Sequence, residues 1–268
     1  MKKITLLFAC IATLFLTSCN FTEEITFNED GSGEFIMNYD MGQVMSALKE
    51  MGMDGSKADG EKKKKKEVID SVIYFKDMLT EGKDSIAQLS EEEQKQIKAL
   101  ETVVMKMKMN EETGDFNFGF GSTFKSLEEL PQVFEKIEQA KKYNSKDNPQ
   151  ADKISESAFA KSSENMLEKV DYKYDGKRFS RFLKEEPEAA SKEEMESLKS
   201  EMEEMGEMKG MFEEMSYSLV YNFPKKIKSV SNKNAKISND GKTVTLKMNF
   251  MEMIGSPKDM NLDVVLED

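Results

Sequence analysis

The sequence contains no histidine and no tryptophan, and it has two cysteines and five prolines among 268 residues. Without histidine the chain lacks the commonest acid-base group and a principal zinc ligand, and Ser-His-Asp and Cys-His nucleophile systems are excluded. Carboxylate pairs and Ser-Lys arrangements remain as catalytic alternatives. The acidic residues are scattered over predicted helix faces, so no pair can be singled out as an acid and its partner base. We therefore expect a non-enzymatic protein, and we name no catalytic residue, metal ligand or cofactor.

The charge balance is acidic, with 39 basic against 51 acidic residues and a net charge of −12. The phosphate groups of nucleic acids repel a protein with this negative net charge, so we do not expect a nucleic-acid partner. Composition leaves the protein or lipid partner open.

A short apolar segment stands near the start of the chain. Two lysines precede a nearly apolar stretch, 4–16, which is followed by the small residues Thr17 and Ser18. This order is typical of a secretory signal peptide, and the stretch is shorter than the ~20 apolar residues of a transmembrane helix. We predict a signal peptide over 1–18 and a mature protein over 19–268.

The residues around the predicted cleavage site, Leu16-Thr17-Ser18-Cys19, resemble the lipobox of bacterial lipoproteins. The resemblance implies cleavage between Ser18 and Cys19 by signal peptidase II, a diacylglyceryl group on the thiol, and usually an acyl chain, palmitate or similar, on the new amino terminus. Membrane lipid would then be a partner through acylated Cys19. At about 0.8 kcal/mol per buried methylene, two or three acyl chains make release from the bilayer negligible. A plain signal peptide with a chance cysteine is the alternative.

The lipobox interpretation also accounts for the cysteines and suggests a location. Cys10 leaves with the signal and Cys19 carries lipid, so the mature chain has no disulfide and must be stabilised by packing. Asn20 rather than aspartate follows Cys19, which in enteric-type sorting favours the outer membrane. The segment Thr22-Glu23-Glu24 is similar to acidic tags of surface lipoproteins, so the periplasmic face and the cell surface both stay open.

Four glycine-containing turns predict β-hairpins. Glycine supplies the positive φ of a tight turn, and Asp or Asn before it tolerates the left-handed backbone region. Apolar residues alternate with polar ones on both sides of these turns, as in strands with one buried face. The turns are Glu29-Asp30-Gly31-Ser32-Gly33, Glu112-Thr113-Gly114-Asp115, Asp175-Gly176-Lys177 and Asn239-Asp240-Gly241-Lys242.

Helical spacing and capping residues occur between the hairpins. Helices are predicted over 41–51, 94–100, 126–141 and 192–215, with capping boxes at Ser90/Glu93 and Ser191/Glu194. The fold class is therefore α+β, with antiparallel hairpins packed against amphipathic helices. Two low-complexity insertions, 52–67 and 144–163, are predicted to be disordered, and no division into domains is indicated.

Two repetitive features have competing interpretations. Methionine recurs every third residue over Met202–Met211, and thioethers bind Cu(I), but the same stripe fits the packed face of a helix or an adaptable partner surface. We favour packing. A lysine run is a candidate contact for anionic headgroups, although its acidic neighbours favour a solvated linker. The run is Lys62, Lys63, Lys64, Lys65 and Lys66.

The ends of the mature chain are similar to the LppM-type lipoprotein domain, in the segments 25–33, 221–224 and 240–245. The matching segments are hairpins and the long helices between them depart from the compact form of that domain, so no ligand and no functional residue beyond Cys19 is transferred by the resemblance. Together these features predict a lipid-anchored, non-enzymatic binding or structural component near the outer membrane. The alternatives are a carrier or sensor of a hydrophobic ligand held between the sheet and the Met-rich helices, and a carboxylate-dependent hydrolase.

Overall fold

A computed structural model describes residues 20–43, 46, 68–110, 112–130, 169–184, 192–204 and 209–268. These residues form two β-sheets with short helices between the strands. In chain order the strands are β1 (Asn20–Phe27), β2 (Gly33–Asp40), β3 (Val68–Tyr74), β4 (Val103–Asn110), β5 (Asp115–Phe124), β6 (Val170–Tyr174), β7 (Arg178–Leu183), β8 (Ser216–Asn222), β9 (Ile227–Val230), β10 (Lys236–Ile237), β11 (Thr243–Asn249) and β12 (Leu262–Leu266). The predicted α+β class is confirmed.

The larger sheet has eight strands in the order β10-β11-β8-β1-β2-β5-β4-β3, and the smaller has four in the order β6-β7-β12-β9. All the neighbouring strands are antiparallel except β1 and β8, which are parallel from Asn20↔Ser216 to Thr26↔Asn222. The sequence predicted antiparallel hairpins only. The parallel pair joins strands nearly two hundred residues apart, and no local pattern encodes such a pairing.

The four predicted hairpins are all confirmed, as β1–β2, β4–β5, β6–β7 and β10–β11. Each turn has a glycine in the left-handed region that L side chains rarely adopt. The glycines and their φ values are Gly31 (85°), Gly114 (77°), Gly176 (84°) and Gly241 (75°).

Most of the described helices are short, and the longest of them has 13 residues. They are α1 (Phe75–Glu81), α2 (Lys83–Ile86), α3 (Glu91–Ala99), α4 (Lys192–Glu204), α5 (Lys209–Glu213) and α6 (Phe250–Gly255), with 3-10 turns at Leu127–Glu129 and Pro257–Met260. The capping box before α3 is confirmed, because Ser90 Oγ accepts from the amide of Glu93 while Glu93 Oε2 accepts from the amide of Ser90 at 2.9 Å.

Other helix predictions are described only in part. Helices α4 and α5 fall within the predicted helix 192–215, but Ser191 and residues 205–208 lie outside the described residues. Of the predicted helix 126–141, the structure describes a 3-10 turn and stops at Leu130, whose side chain is buried. Of 41–51 it describes three helical residues.

The hydrophobic core lies between the two sheets. The inner face of the larger sheet includes Ile25, Phe35, Leu219 and Tyr221, and the smaller sheet contributes Phe179 among others; all are fully buried. Aromatic rings bridge the layers: Phe179 lies edge-on to Tyr221 with centroids 4.7 Å apart. Outward-facing positions on β1 and β11 are mostly polar, so alternation along the strands separates the core from the solvent.

Candidate functional site

The predicted lipidation and cleavage residues, Cys19 and Ser18, lie outside the described residues, as do Lys62 to Lys66 and both predicted low-complexity insertions, 52–67 and 144–163. These sites therefore stay predictions. The described part of the chain begins at Asn20, directly after Cys19.

The first described residue, Asn20, is already part of the larger sheet. It begins β1 and pairs with Asp40 on β2 and with Ser216 on β8. Its side-chain oxygen accepts a hydrogen bond from Ser216 Oγ and another, at 3.4 Å, from Lys247 Nζ. The chain next to Cys19 thus enters the middle of a sheet and is held on both sides.

A buried polar cluster lies three residues further along the same strand. Glu23 has no exposed surface, although its neighbours on the inner face of β1, Phe21 and Ile25, are core residues. Its carboxylate meets Arg181 of β7, which is itself 3% exposed. Three tyrosine hydroxyls from both sheets complete the cluster, namely Tyr172 of β6 and Tyr217 and Tyr221 of β8.

Five hydrogen bonds occupy the two carboxylate oxygens of Glu23. Oε1 accepts from Tyr172 at 2.8 Å, from Tyr221 at 2.5 Å and from Arg181 Nε at 3.3 Å. Oε2 accepts from Tyr217 at 2.9 Å and from Arg181 Nη2 at 3.2 Å. The remaining guanidinium nitrogen, Nη1, donates to the carbonyl of Met260 at 3.1 Å. The cluster is an internally satisfied ion pair that joins the two sheets.

The environment keeps this pair charged and the tyrosines neutral. Burial raises the pKa of Glu23, but the charge and hydrogen bonds of Arg181 and the tyrosine hydroxyls outweigh it, so the pKa is lowered. Burial, followed by the negative charge of Glu23, holds the pKa of Tyr172, Tyr217 and Tyr221 well above its ordinary value. Burial lowers the pKa of Arg181, and the charge of Glu23 more than reverses this.

This arrangement is suited to holding the sheets together and not to moving protons. An ionised carboxylate whose oxygens already accept five hydrogen bonds has little capacity left to act as a base. Among the described residues its hydrogen-bonding partners are one arginine and three tyrosines, so Glu23 is not half of the carboxylate pair that the hydrolase alternative requires.

The acidic residues of the tag-like segment Thr22-Glu23-Glu24 are held within the sheet. Glu23 points into the core, and Glu24 accepts hydrogen bonds from Asn38 and Asn222 on neighbouring strands. The folded body therefore does not display this segment as a free tag. The signal was present in the sequence, since Glu23 occupies an inward position of the alternation Phe21, Ile25, Phe27.

A second feature is a half-buried apolar area on the inner face of β4 and β5, which we call the Met–Phe face. Three methionines of β4 stand opposite three phenylalanines of β5, as Met105↔Phe120, Met107↔Phe118 and Met109↔Phe116. Phe120 is buried, whereas the other five are partly exposed. Sulfur–aromatic pairs of this kind are favourable and adaptable.

The methionine stripe of the predicted helix 192–215 is described only at its borders. Leu198 in α4 and Met215 after α5 are both 2% exposed and belong to the core, in agreement with packing. The side chains of Met202, Met205, Met208 and Met211 lie outside the described residues. Within the described ranges, no group of three or more acidic or cysteine side chains converges in a way that would hold a metal ion.

The described part of the chain contains no helix that is long and apolar enough to cross a membrane. No protein-family model matches the chain, and no curated protein matches it. Among solved structures, the chain is similar to the NMR structure of the folded domain of LppM from Mycobacterium tuberculosis, over 95% of this chain and 93% of that one. The identity is 8% and the TM-score is 0.34, so the likeness is weak and carries no argument about function.

Proposed function

We propose that this protein is a lipid-anchored, non-enzymatic component of the bacterial envelope, which acts as a binding or structural element close to the outer membrane. The lipobox-like sequence ending at Cys19 is the origin of the proposal. The structural observation that supports it is the position of Asn20, which is hydrogen-bonded into the middle of the larger sheet directly after the proposed acylated residue.

The absence of a spacer between anchor and body limits the reach of the protein. Residues 20–27 all belong to β1, so the first strand begins one residue, or about 3.5 Å of chain, after the acylated cysteine. A lipoprotein with a long Gly/Ser-rich linker can reach partners far from the bilayer, whereas this body stays within contact distance of the headgroups. A partner would therefore be met at the membrane surface.

The anchoring proposal is tested by intact-mass analysis and membrane fractionation of the full chain from its native host. We expect the measured mass to be that of a chain that begins at Cys19 and carries the acyl groups. The Cys19→Ala variant should be lost from membranes on washing with alkali and high salt. Cys10→Ala is the matched control, since it removes the other cysteine from the predicted signal peptide and should leave acylation intact. An unmodified residue 19, or retention of the first eighteen residues, would contradict the proposal.

The Met–Phe face favours a second candidate function, the carriage of an apolar ligand such as a fatty acyl chain. Five of its six side chains are partly exposed, and flexible methionines adapt to varied apolar partners. Binding of a fluorescent fatty acid is the appropriate assay. We expect Met107→Glu on this face to weaken binding at least tenfold, whereas Lys108→Glu, one residue along on the opposite face, should not. Equal affinity of both variants, with no lipid retained in native mass spectrometry, would remove this alternative.

A further inference from the structure

Strand β3 forms one edge of the larger sheet and exposes large apolar side chains. Val68 is 65% exposed, Val72 49% and Ile73 36%. Among the described residues the strand pairs with β4 on one side, and β4 is its only neighbour in the sheet. An edge strand of this kind offers a row of backbone donors and acceptors beside apolar surface, which is a template for another strand.

The two edges of the larger sheet differ in how they are protected. The opposite edge, β10, consists of Lys236 and Ile237, so it is short and carries a lysine. By contrast, β3 has seven residues, Val68-Ile69-Asp70-Ser71-Val72-Ile73-Tyr74, with a single charged side chain and no proline. Natural sheets usually protect long edges with lysine, proline or bulges, so the lack of these on β3 indicates a partner.

The sequence of β3 is nearly symmetric about its centre. When the strand is paired antiparallel with itself about Ser71, Ile69 stands opposite Ile73, Val68 opposite Tyr74 and Asp70 opposite Val72. Apolar residues then meet across the strands, and the two Asp70 carboxylates do not face each other. Cross-strand apolar pairs stabilise a sheet and directly opposed like charges destabilise it, so this register is self-complementary.

We propose that β3 is a docking edge for a second copy of this chain, and that two protomers pair through antiparallel β3 strands about a two-fold axis at Ser71. The two eight-stranded sheets would then form one continuous sheet. A pair of seven-residue strands gives a small interface, so the contact is weak in dilute solution. Confinement of both copies to a membrane raises their effective concentration and favours pairing.

The register also allows both protomers to be anchored in the same bilayer. Strand pairing aligns Asn20 with Asp40, Asn117, Lys108 and finally Asp70, which is next to Ser71. In the dimer the two Asn20 residues therefore lie on opposite sides of the axis and almost level with it. Both amino termini can enter one membrane when the two-fold axis is parallel to the membrane normal.

The register is tested by disulfide crosslinking of the full chain in membranes. Ser71→Cys places two thiols opposite each other at the axis, within the Cα separation that a disulfide needs. We expect it to form a covalent dimer on mild oxidation. Asp70→Cys and Val72→Cys should each fail to crosslink alone, because the two copies of each lie about 7–8 Å apart, but should crosslink when co-expressed. The parent chain controls for linkage through Cys10 or Cys19.

A charge pair provides a second readout, measured as the crosslinked fraction of Ser71→Cys. Val72→Lys faces Asp70 of the other copy and should retain the crosslink, whereas Val72→Glu faces the same carboxylate and should reduce it at least fivefold. Within its own protomer position 72 is paired with Lys106, which attracts glutamate and repels lysine. Pairing inside the protomer therefore favours the glutamate variant, the opposite of the order that the dimer predicts.

Three results would each overturn the proposal. The crosslinked fraction could fall equally in both charge variants, Ser71→Cys could crosslink no more than Asp70→Cys, or the crosslink could form to a protein of different mass. Because membrane confinement favours pairing, the same variants are also oxidised as purified full chain at high protein concentration, where pairing does not depend on acylation of Cys19. The failure of the dimer and the failure of the anchor are therefore distinguishable.

Discussion

The buried pair of Glu23 and Arg181 offers a sharp test of how the two sheets are held together. Arg181 Nη2 lies 3.2 Å from Glu23 Oε2, with side-chain exposures of 2% and 0%. Replacing Arg181 with methionine keeps most of the volume but leaves the carboxylate without its counter-ion. Removing one partner of a buried ion pair costs about 3–5 kcal/mol, and we expect Arg181→Met to lower the free energy of unfolding by that amount.

Glu23→Gln and the double variant measure how strongly the two charged residues depend on each other. In Glu23→Gln alone Arg181 stays buried without a counter-ion, so we again expect a loss of about 3–5 kcal/mol. In the double variant both charges are gone, and the amide of Gln at position 23 still accepts from Tyr172 and Tyr221 and donates to Tyr217. We therefore expect the double variant to be markedly more stable than the sum of the single losses implies, with a coupling energy of about 3 kcal/mol or more.

Urea unfolding followed by far-UV circular dichroism and tyrosine fluorescence is a suitable assay, since the chain has no tryptophan. If the midpoint shifts while the slope of the unfolding free energy against urea concentration is unchanged, only the stability has changed. The exposed pair of Lys177 and Asp268, 2.8 Å apart, is the control, and Asp268→Asn should have no measurable effect. A loss below about 1 kcal/mol in Arg181→Met, or simple additivity in the double variant, would refute the reasoning.

Further predictions concern pH and close packing. Because the pKa values of Tyr172, Tyr217 and Tyr221 are raised in the folded state, the unfolded chain loses these protons first, and stability should fall above pH ~10 by up to roughly 4 kcal/mol per pH unit. Tyr172→Phe should reduce that slope in alkaline unfolding curves by about a third. The lowered pKa of Glu23 affects stability at acid pH. Its contribution to the free energy of unfolding is present above its unfolded pKa and is lost as the pH falls through its folded value, so Glu23→Gln should make stability depend less on pH in the acid range. At Gly121 an added Cβ would lie 1.8 Å from the carbonyl oxygen of Phe35, so Gly121→Ala should cost about 1–3 kcal/mol in a urea titration. Gly210→Ala, where a Cβ meets nothing within 4 Å in a helix, should instead be neutral or stabilising by up to about 1 kcal/mol, and equal effects at the two glycines would contradict this view of the packing.

Local features of the fold were predictable because short-range physics determines them. All four glycine turns became hairpins, since φ values near +80° exclude most other residues whatever the rest of the chain does. The alternation of Val103, Met105, Phe116 and Phe118 likewise placed their side chains on the inner face of the sheet. The capping box at Ser90 was also predictable, because its partners are three residues apart.

Other elements had no adequate local signal. Strand β3 follows the lysine run and was not predicted, and strands β9 and β12 are too short to show a clear period. Whether Val72 is buried or exposed depends on whether β3 is central or at an edge, and that is a property of the whole sheet. The proposed docking edge therefore became visible only with the strand order.

The sequence by itself determined the turns, the faces of the strands and the lipobox-like segment ending at Cys19, because each depends on residues that are close along the chain. Only the tertiary structure decided that Glu23 meets Arg181, 158 residues away, and Tyr221, 198 residues away. A carboxylate on a strand is normally exposed to solvent unless a positive charge and hydrogen-bond donors surround it in the interior. Those partners are brought by the packing of one sheet on another, which no local pattern records.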